Sequence, residues 1–260
     1  MISAHVPVQI SDDEIIKVAR QLYGIDGSLQ RLPGEYDTNV RIWGDKQADV
    51  VLKIMHPSRI PSFIEMQIAA LQHISTAAPA VPVQRVVAQR DGLLWSTVTI
   101  GTHSHVVWML TYLEGTLFAE ANPVDDALVA HLGETIARID HGLQHLAFDA
   151  PERMLEWDVL NAGWIRGYTD ALADEGERSL ITRLVDRFES HYAVHRESVR
   201  IGLIHGDAND YNVIVGKPGY RTRRVTGVLD FGDMMRTAIV SELAISAAYM
   251  MMRILTNCII

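Results

Sequence analysis

A single cysteine, Cys258, leaves nothing for an internal disulfide framework. Residues 1–25 have no basic start, apolar stretch and small-residue cleavage site in succession, so no secretory signal is read there and the cytoplasm is the expected location. Long hydrophobic runs are also missing. The most apolar stretch, AIVSELAISAAYMMMRILTNCII, is interrupted by Glu242 and Arg253 and falls short of the roughly 20 apolar residues that cross a bilayer. It reads as a buried helix, and no membrane partner is expected. Positive charge is scarce: 23 Lys and Arg stand against 32 Asp and Glu, a net charge of −9. Phosphate neutralisation needs clustered Lys and Arg, so this balance disfavours nucleic acid as a partner and suits a cationic small molecule. Most of the excess lies in residues 114–260, with 14 basic and 22 acidic residues.

Catalytic signatures are missing too. There is no GxSxG elbow for a nucleophilic serine. HGLQH at 141–145 lacks the glutamate of HExxH, so His141 and His145 read as surface or packing residues. No glycine-rich phosphate loop occurs; LPGEYDTNVRI has one glycine, Gly34, with Glu35, Asp37 and Asn39 as loop-shaping residues.

Against these absences, 48% hydrophobic residues in 260 are enough for a large core. Ser11 and Glu14 form a capping-box pattern before Ile15, Val18, Ala19 and Leu22, which predicts a helix over 11–23. SLQRLPGEYDTNVRIW and ADVVLKIMH then read as strands joined by turns. Residues 60–75 have helical periodicity, and VPVQRVVAQ, GLLWSTVTI and SHVVWMLTYL return to strand character. After residue 113 the texture becomes helical, in DDALVAHLGETIARIDHGLQHL, DVLNAGWIRGYTDAL and SLITRLVDRFESHYAV. The expected organisation is α+β, with a small antiparallel-sheet lobe (1–113), a mostly helical lobe (114–260) and a cleft between them forming one catalytic unit.

Two polar segments end apolar runs: IGLIHGDANDYNVIV at 201–215 and VTGVLDFGD at 225–233. Each places a carboxylate, Asp207 or Asp230, where a strand gives way to a loop. Phosphoryl transfer needs an acceptor for the alcohol proton, oxygen ligands for Mg2+ and a cation for the phosphate chain. The chain offers a candidate for each of these roles.

The spacing HGDANDYN, followed by LDFGD, resembles the aminoglycoside phosphotransferase and choline kinase superfamily, which has a protein-kinase-like fold. With EWDVLNA it is most similar to the hydroxylysine-kinase-like branch, some bacterial members of which are fused to a class III aminotransferase domain. The resemblance implies that Asp207 orients or deprotonates the acceptor hydroxyl, Asn212 and Asp230 bind Mg2+, and Lys53 contacts ATP phosphates with Glu65 as its partner. It further implies that the backbone of Thr111, Tyr112 and Leu113 pairs with adenine, and that His205 fixes the loop by hydrogen-bonding backbone. The implied acceptor is an amino alcohol, hydroxylated amino acid or aminosugar, whose ammonium Asp158 or Asp210 would hold; helix capping is the competing role for both. Family members run well past the DFG-like motif, whereas 27 residues follow Asp233, so a C-terminally shortened lobe is expected. Two other functions remain open: a nucleotide-binding regulatory or fused module, and a metal-dependent phosphoesterase using His205, Asp207 and Asn212.

Overall fold

A computed structural model describes residues 7–45, 47–148, 155–217 and 223–257, with side chains given to residue 252. Cys258 lies outside that range. Helix α1 (Asp12–Tyr23) begins at the expected capping box: the Ser11 hydroxyl accepts from Glu14 N, and the Glu14 carboxylate accepts from Ser11 N. Gly24, in the left-handed region at φ 70°, ends it by donating to carbonyls of the last turn. Strands β1 (Ser28–Leu32), β2 (Thr38–Gly44) and β3 (Gln47–Ile54) follow, then α2 (Pro61–Ala77), β4 (Trp95–Ile100) and β5 (His103–Thr111). They form one antiparallel sheet in the order β1-β2-β3-β5-β4.

Strand alternation assigns the two faces of this sheet. Val50, Leu52 and Ile54 of β3, with Val107 and Met109 of β5, pack against Ile15, Val18 and Ala19 of α1. Val51 and Met55, with Val106, Trp108 and Leu110, face Ile64, Ile68, Leu71 and Ile74 of α2. Lys53 lies between Val51 and Met55 in sequence and therefore points to the α2 side, where it is 8% exposed. Each fully buried Ile or Leu in these faces contributes about 1.5–3 kcal/mol relative to exposure.

Segment 81–89 was expected as a strand but makes only single bridges, Val86 with Leu110 and Val83 with Val228. Strand β4 already occupies the edge of β5 through Trp108, so only residues 109–111 remain for it, through Val87 N to Met109 O and Thr111 N to Arg85 O.

Beyond the sheet come β6 (Thr116–Leu117), α3 (Asp126–Leu143), a 3-10 helix (Val159–Ala171), α4 (Glu175–His195), β7 (Ile201–Ile204), β8 (Val213–Val215), β9 (Val225–Val228), β10 (Met235–Ala238) and α5 (Val240–Asn257). Leu128, Leu132, Ile136, Ile139 and Leu143 make the buried face of α3 and join the α2 side of the sheet in one core with Val213, Val228 and Phe231. The segment DVLNAGWIRGYTDAL is a 3-10 rather than an α-helix. Gly163 and Gly167 each cost an α-helix about 1 kcal/mol relative to alanine. No residue of this segment is fully buried, and Arg166 ties it to Asp186 and Glu189 of α4. Two small sheets, β6-β8-β9 and β7-β10, carry the loops that matter for the site. Among the described residues, no helix is long and apolar enough to cross a membrane.

Candidate active site

Strand β7 leads through His205 and Gly206 to Asp207, which lines a cleft of about 520 Å³. His205 is 1% exposed and spends both ring nitrogens on backbone: Nε2 lies 2.7 Å from Leu229 O, and Nδ1 accepts from Asp207 N at 3.2 Å. A carbonyl on one side and an N–H on the other require a neutral ring protonated on Nε2. Its edge meets the Phe231 ring at 4.6 Å. His205 thus fixes the loop through backbone, as the sequence led us to expect. Gly206 has φ 83°, and its N–H donates to the buried Glu242 carboxylate of α5 at 2.9 Å. A Cβ at Gly206 would run into the Asp233 carbonyl.

The Asp207 carboxylate is braced on both oxygens. Asn209 Nδ2 donates to Oδ1 at 2.8 Å, and Asn212 Nδ2 donates to Oδ2 at 2.8 Å. Burial pushes its pKa up to about 6, against the downward pull of the Asn209 bond and with added repulsion from Asp233 and Asp230. Strand pairing explains why Asn212 and Asp230 meet: Val213 pairs with Val228, and Leu229 N continues the ladder to Asn212 O at 2.8 Å, so Asp230 emerges beside Asn212. Asp230 takes φ 53°, a left-handed conformation uncommon outside glycine but accessible to Asp. Its Oδ1 accepts from Gly232 N at 3.2 Å and from Lys53 Nζ at 3.4 Å. The Lys53 ammonium, foremost, holds Asp230 below the usual carboxylate range.

The donor set fits Mg2+, a hard ion that keeps several waters and binds through one or two carboxylates plus substrate phosphates. Asn212 directs its NH2 group at Asp207, and neither Asn212 Oδ1 nor Asp230 Oδ2 has a hydrogen-bond partner among the described residues. Both oxygens are acceptors available to a cation. Among those residues no group of three or more His, Cys, Asp or Glu could hold a metal by itself, so the phosphoesterase reading finds no ligand set there.

Four sequence-expected residues, Lys53, Asp207, Asn212 and Asp230, line this one cleft. Others do not. Glu65 is exposed and lines a separate hollow with Gln72 and Trp95, because it lies on the outer face of α2. Gln67, two positions on, does reach the cleft, with Phe63 and Ile64 of the same helix, and its Nε2 donates to Phe63 O. The N–H groups of Thr111 and Tyr112 are committed to Arg85 O and Asp49 O, and Thr111 O accepts from Gln84. Neither residue lines the cleft, and Leu113 instead packs over Gly227. Asp158 caps the 3-10 helix through Leu160 N and accepts from Thr237 of β10 at 2.7 Å, a structural role. Asp210 lies outside the cleft lining, its backbone carbonyl accepting from Ala119 N.

The cleft also holds residues that sequence reasoning passed over: Asn209, Asp233, Arg59 and Trp157. Asn209 was visible inside GDANDYN, and Asp233 as the second acid of LDFGD. Trp157 stands inside EWDVLNA, and nothing in the local pattern marks Arg59.

A lysine on the inner face of a small antiparallel sheet, poised over two loop carboxylates from a helical half, is the arrangement of kinase-like phosphotransferases. Solved structures share the frame: a microcompartment-associated aminopropanol kinase superposes with TM-score 0.66 at 21% identity, covering 90% of this chain and 74% of that one. An amicoumacin kinase in complex with AMP-PNP, Ca2+ and Ami gives 0.64 at 15%, covering 92% and 69%. Residues 28–259 match the phosphotransferase enzyme family, and the chain belongs to it. Hydroxylysine kinase of Mus musculus is 29% identical over 246 residues, 86% of this chain; the chain spans 64% of that protein's length.

Proposed function

We propose that this chain is the nucleotide-binding and catalytic unit of an ATP-dependent phosphotransferase that moves the terminal phosphate to the hydroxyl of a small hydroxylated amine. The observation that carries this reading is Asp207, braced by two asparagines and standing in one cleft with Lys53 and Asp230. A carboxylate with a pKa of about 6 is ionised roughly ten to one at pH 7 and still basic enough to take a developing alcohol proton. Asn209 and Asn212 fix its direction. Lys53 would hold the α- and β-phosphates, with Asp230 as its protein counter-ion. Asn212 Oδ1 and Asp230 would hold Mg2+, which when bound neutralises phosphate charge. Residues 1–113 would act as the nucleotide lobe and 114–260 as the helical lobe, hinged near 113.

Acceptor chemistry follows from similarity to a hydroxylysine kinase and from the chain's net charge of −9. Both support a cationic acceptor: a hydroxylated amino acid, amino alcohol or aminosugar. A soluble cytoplasmic enzyme suits such substrates. Turnover of Mg·ATP against a panel of these acceptors, beside Asp207→Asn, tests the assignment. Activity with at least one acceptor and a loss of at least about 100-fold in the variant are expected. Turnover indifferent to Asp207→Asn would sink the proposal. Nucleotide binding with no turnover on any acceptor would select a nucleotide-binding module instead.

A further inference from the structure

We propose that Arg59 is a second cationic contact for the transferred phosphate, held in position by Asp37. The inference rests on the phosphotransferase reading and adds to it a residue from the connection between β3 and α2. Among the described residues lining the cleft, five are carboxylates and only Lys53 and Arg59 are cations. Lys53 is deeply placed and already carries Asp230. A polyphosphate entering so acidic a cleft needs a further cation, and Arg59 is the one there.

Its geometry is that of a mounted group rather than a loose surface arginine. Arg59 Nε and Nη2 donate to Asp37 Oδ2 at 3.1 and 2.8 Å, using one edge of the guanidinium. The Asp37 side chain is only 11% exposed, and its Oδ1 also accepts from His56 N at 2.7 Å. Asp37 thereby ties the β1–β2 loop to the β3–α2 connection and fixes Arg59 against both. The guanidinium carbon lies 5.2 Å from the Tyr36 ring centre, which limits its swing. Nη1 has no partner among the described residues, and the side chain is 41% exposed. The free edge of a planar fork suits phosphate oxygens better than the point charge of an ammonium does.

Depth within the cleft separates Arg59 from Lys53. Both side chains line the same cleft, but that of Lys53 is 10% exposed and that of Arg59 41%, so Lys53 stands in its depth and Arg59 nearer its opening. Lys53 serves the deeper phosphates, and Arg59 the outermost one.

The discriminating measurement is calorimetric titration of the whole chain with Mg·AMP-PNP and with Mg·ADP, which differ by the outermost phosphate. Arg59→Gln should lower affinity for AMP-PNP on the order of ten- to a hundred-fold while leaving ADP within about twofold, the scale of one charge-assisted contact. Arg59→Lys, which keeps charge but not the fork, should lose several-fold for AMP-PNP alone and serves if Arg59→Gln does not fold. Equal losses for both nucleotides, the mark of a distorted loop, or no loss for either would overturn the assignment. Binding of neither nucleotide by the unaltered chain would overturn the phosphotransferase reading and this inference with it. Binding of both with losses unrelated to the outermost phosphate would remove only the inference.

Discussion

Replacing Asp233 by asparagine tests whether Asp207 is the group whose ionisation the reaction needs. Burial is the largest cause of the raised Asp207 pKa, and the Asp233 charge adds to it. With a pKa of about 6, Asp207 is ionised in about one molecule in ten at about pH 5, whereas a carboxylate at its ordinary 3.8 would be ionised in about nine in ten. The unaltered enzyme should therefore lose about tenfold in kcat/KM between about pH 8 and pH 5 from this group alone. In Asp233→Asn the like charge is gone and the acid limb must move to lower pH. Because burial remains, the recovery at about pH 5 stays below the tenfold ceiling. Profiles would be measured with both substrates well below their KM, so that they report the free enzyme. Protonation of nucleotide and acceptor is common to both proteins and cancels in the ratio of the two profiles. A ratio flat with pH, or a limb moved upward, would refute the assignment of this titration to Asp207.

Two stability predictions come from the same loop and the helices behind it. Gly206→Ala combines a left-handed backbone with a collision against the Asp233 carbonyl and should cost more than about 2 kcal/mol in urea unfolding. A smaller loss would mean that the loop relaxes. Asp140 of α3, pushed up to about 8 by burial and by Glu242 with Arg200 opposing, favours the fold while protonated. That stabilisation is fully present below the unfolded value near 3.8 and is lost as pH rises through about 8. Asp140→Asn should therefore raise Tm relative to the unaltered chain by an increment that grows from about pH 5 to about pH 9. An increment constant across that range would contradict it.

Local signals were legible wherever one short-range interaction decides the outcome. The Ser11 and Glu14 cap and the carboxylates closing two apolar runs fall in this group, and each is visible in a few consecutive residues. Signals failed where a partner distant in sequence decides. Segment 81–89 has strand composition, but β4 already holds the edge it would use. Asp158 was read either as an ammonium partner or as a helix cap; it is the cap, and Thr237, in a strand 79 residues away, also donates to it. Glu65 and Gln67 differ by two helical positions, a rotation of about 200°. That rotation separates the outer hollow from the cleft, and the orientation of α2 is set by packing rather than by either residue. The N–H groups of Thr111 and Tyr112 are spoken for by the carbonyls of Arg85 and Asp49, which carry no mark in the sequence.

The left-handed backbone at Asp230 bears on how such a protein could lose its chemistry without losing its shape. Of the replacements one base change from an aspartate codon, Ala, Val and Tyr pay the full steric cost of that conformation, while Asn and Gly accept it. Asn and Gly also discard the carboxylate. A gene drifting away from catalysis could therefore pass through either residue with its fold intact, and Asn or Gly at this position in a related chain would be the trace of that passage.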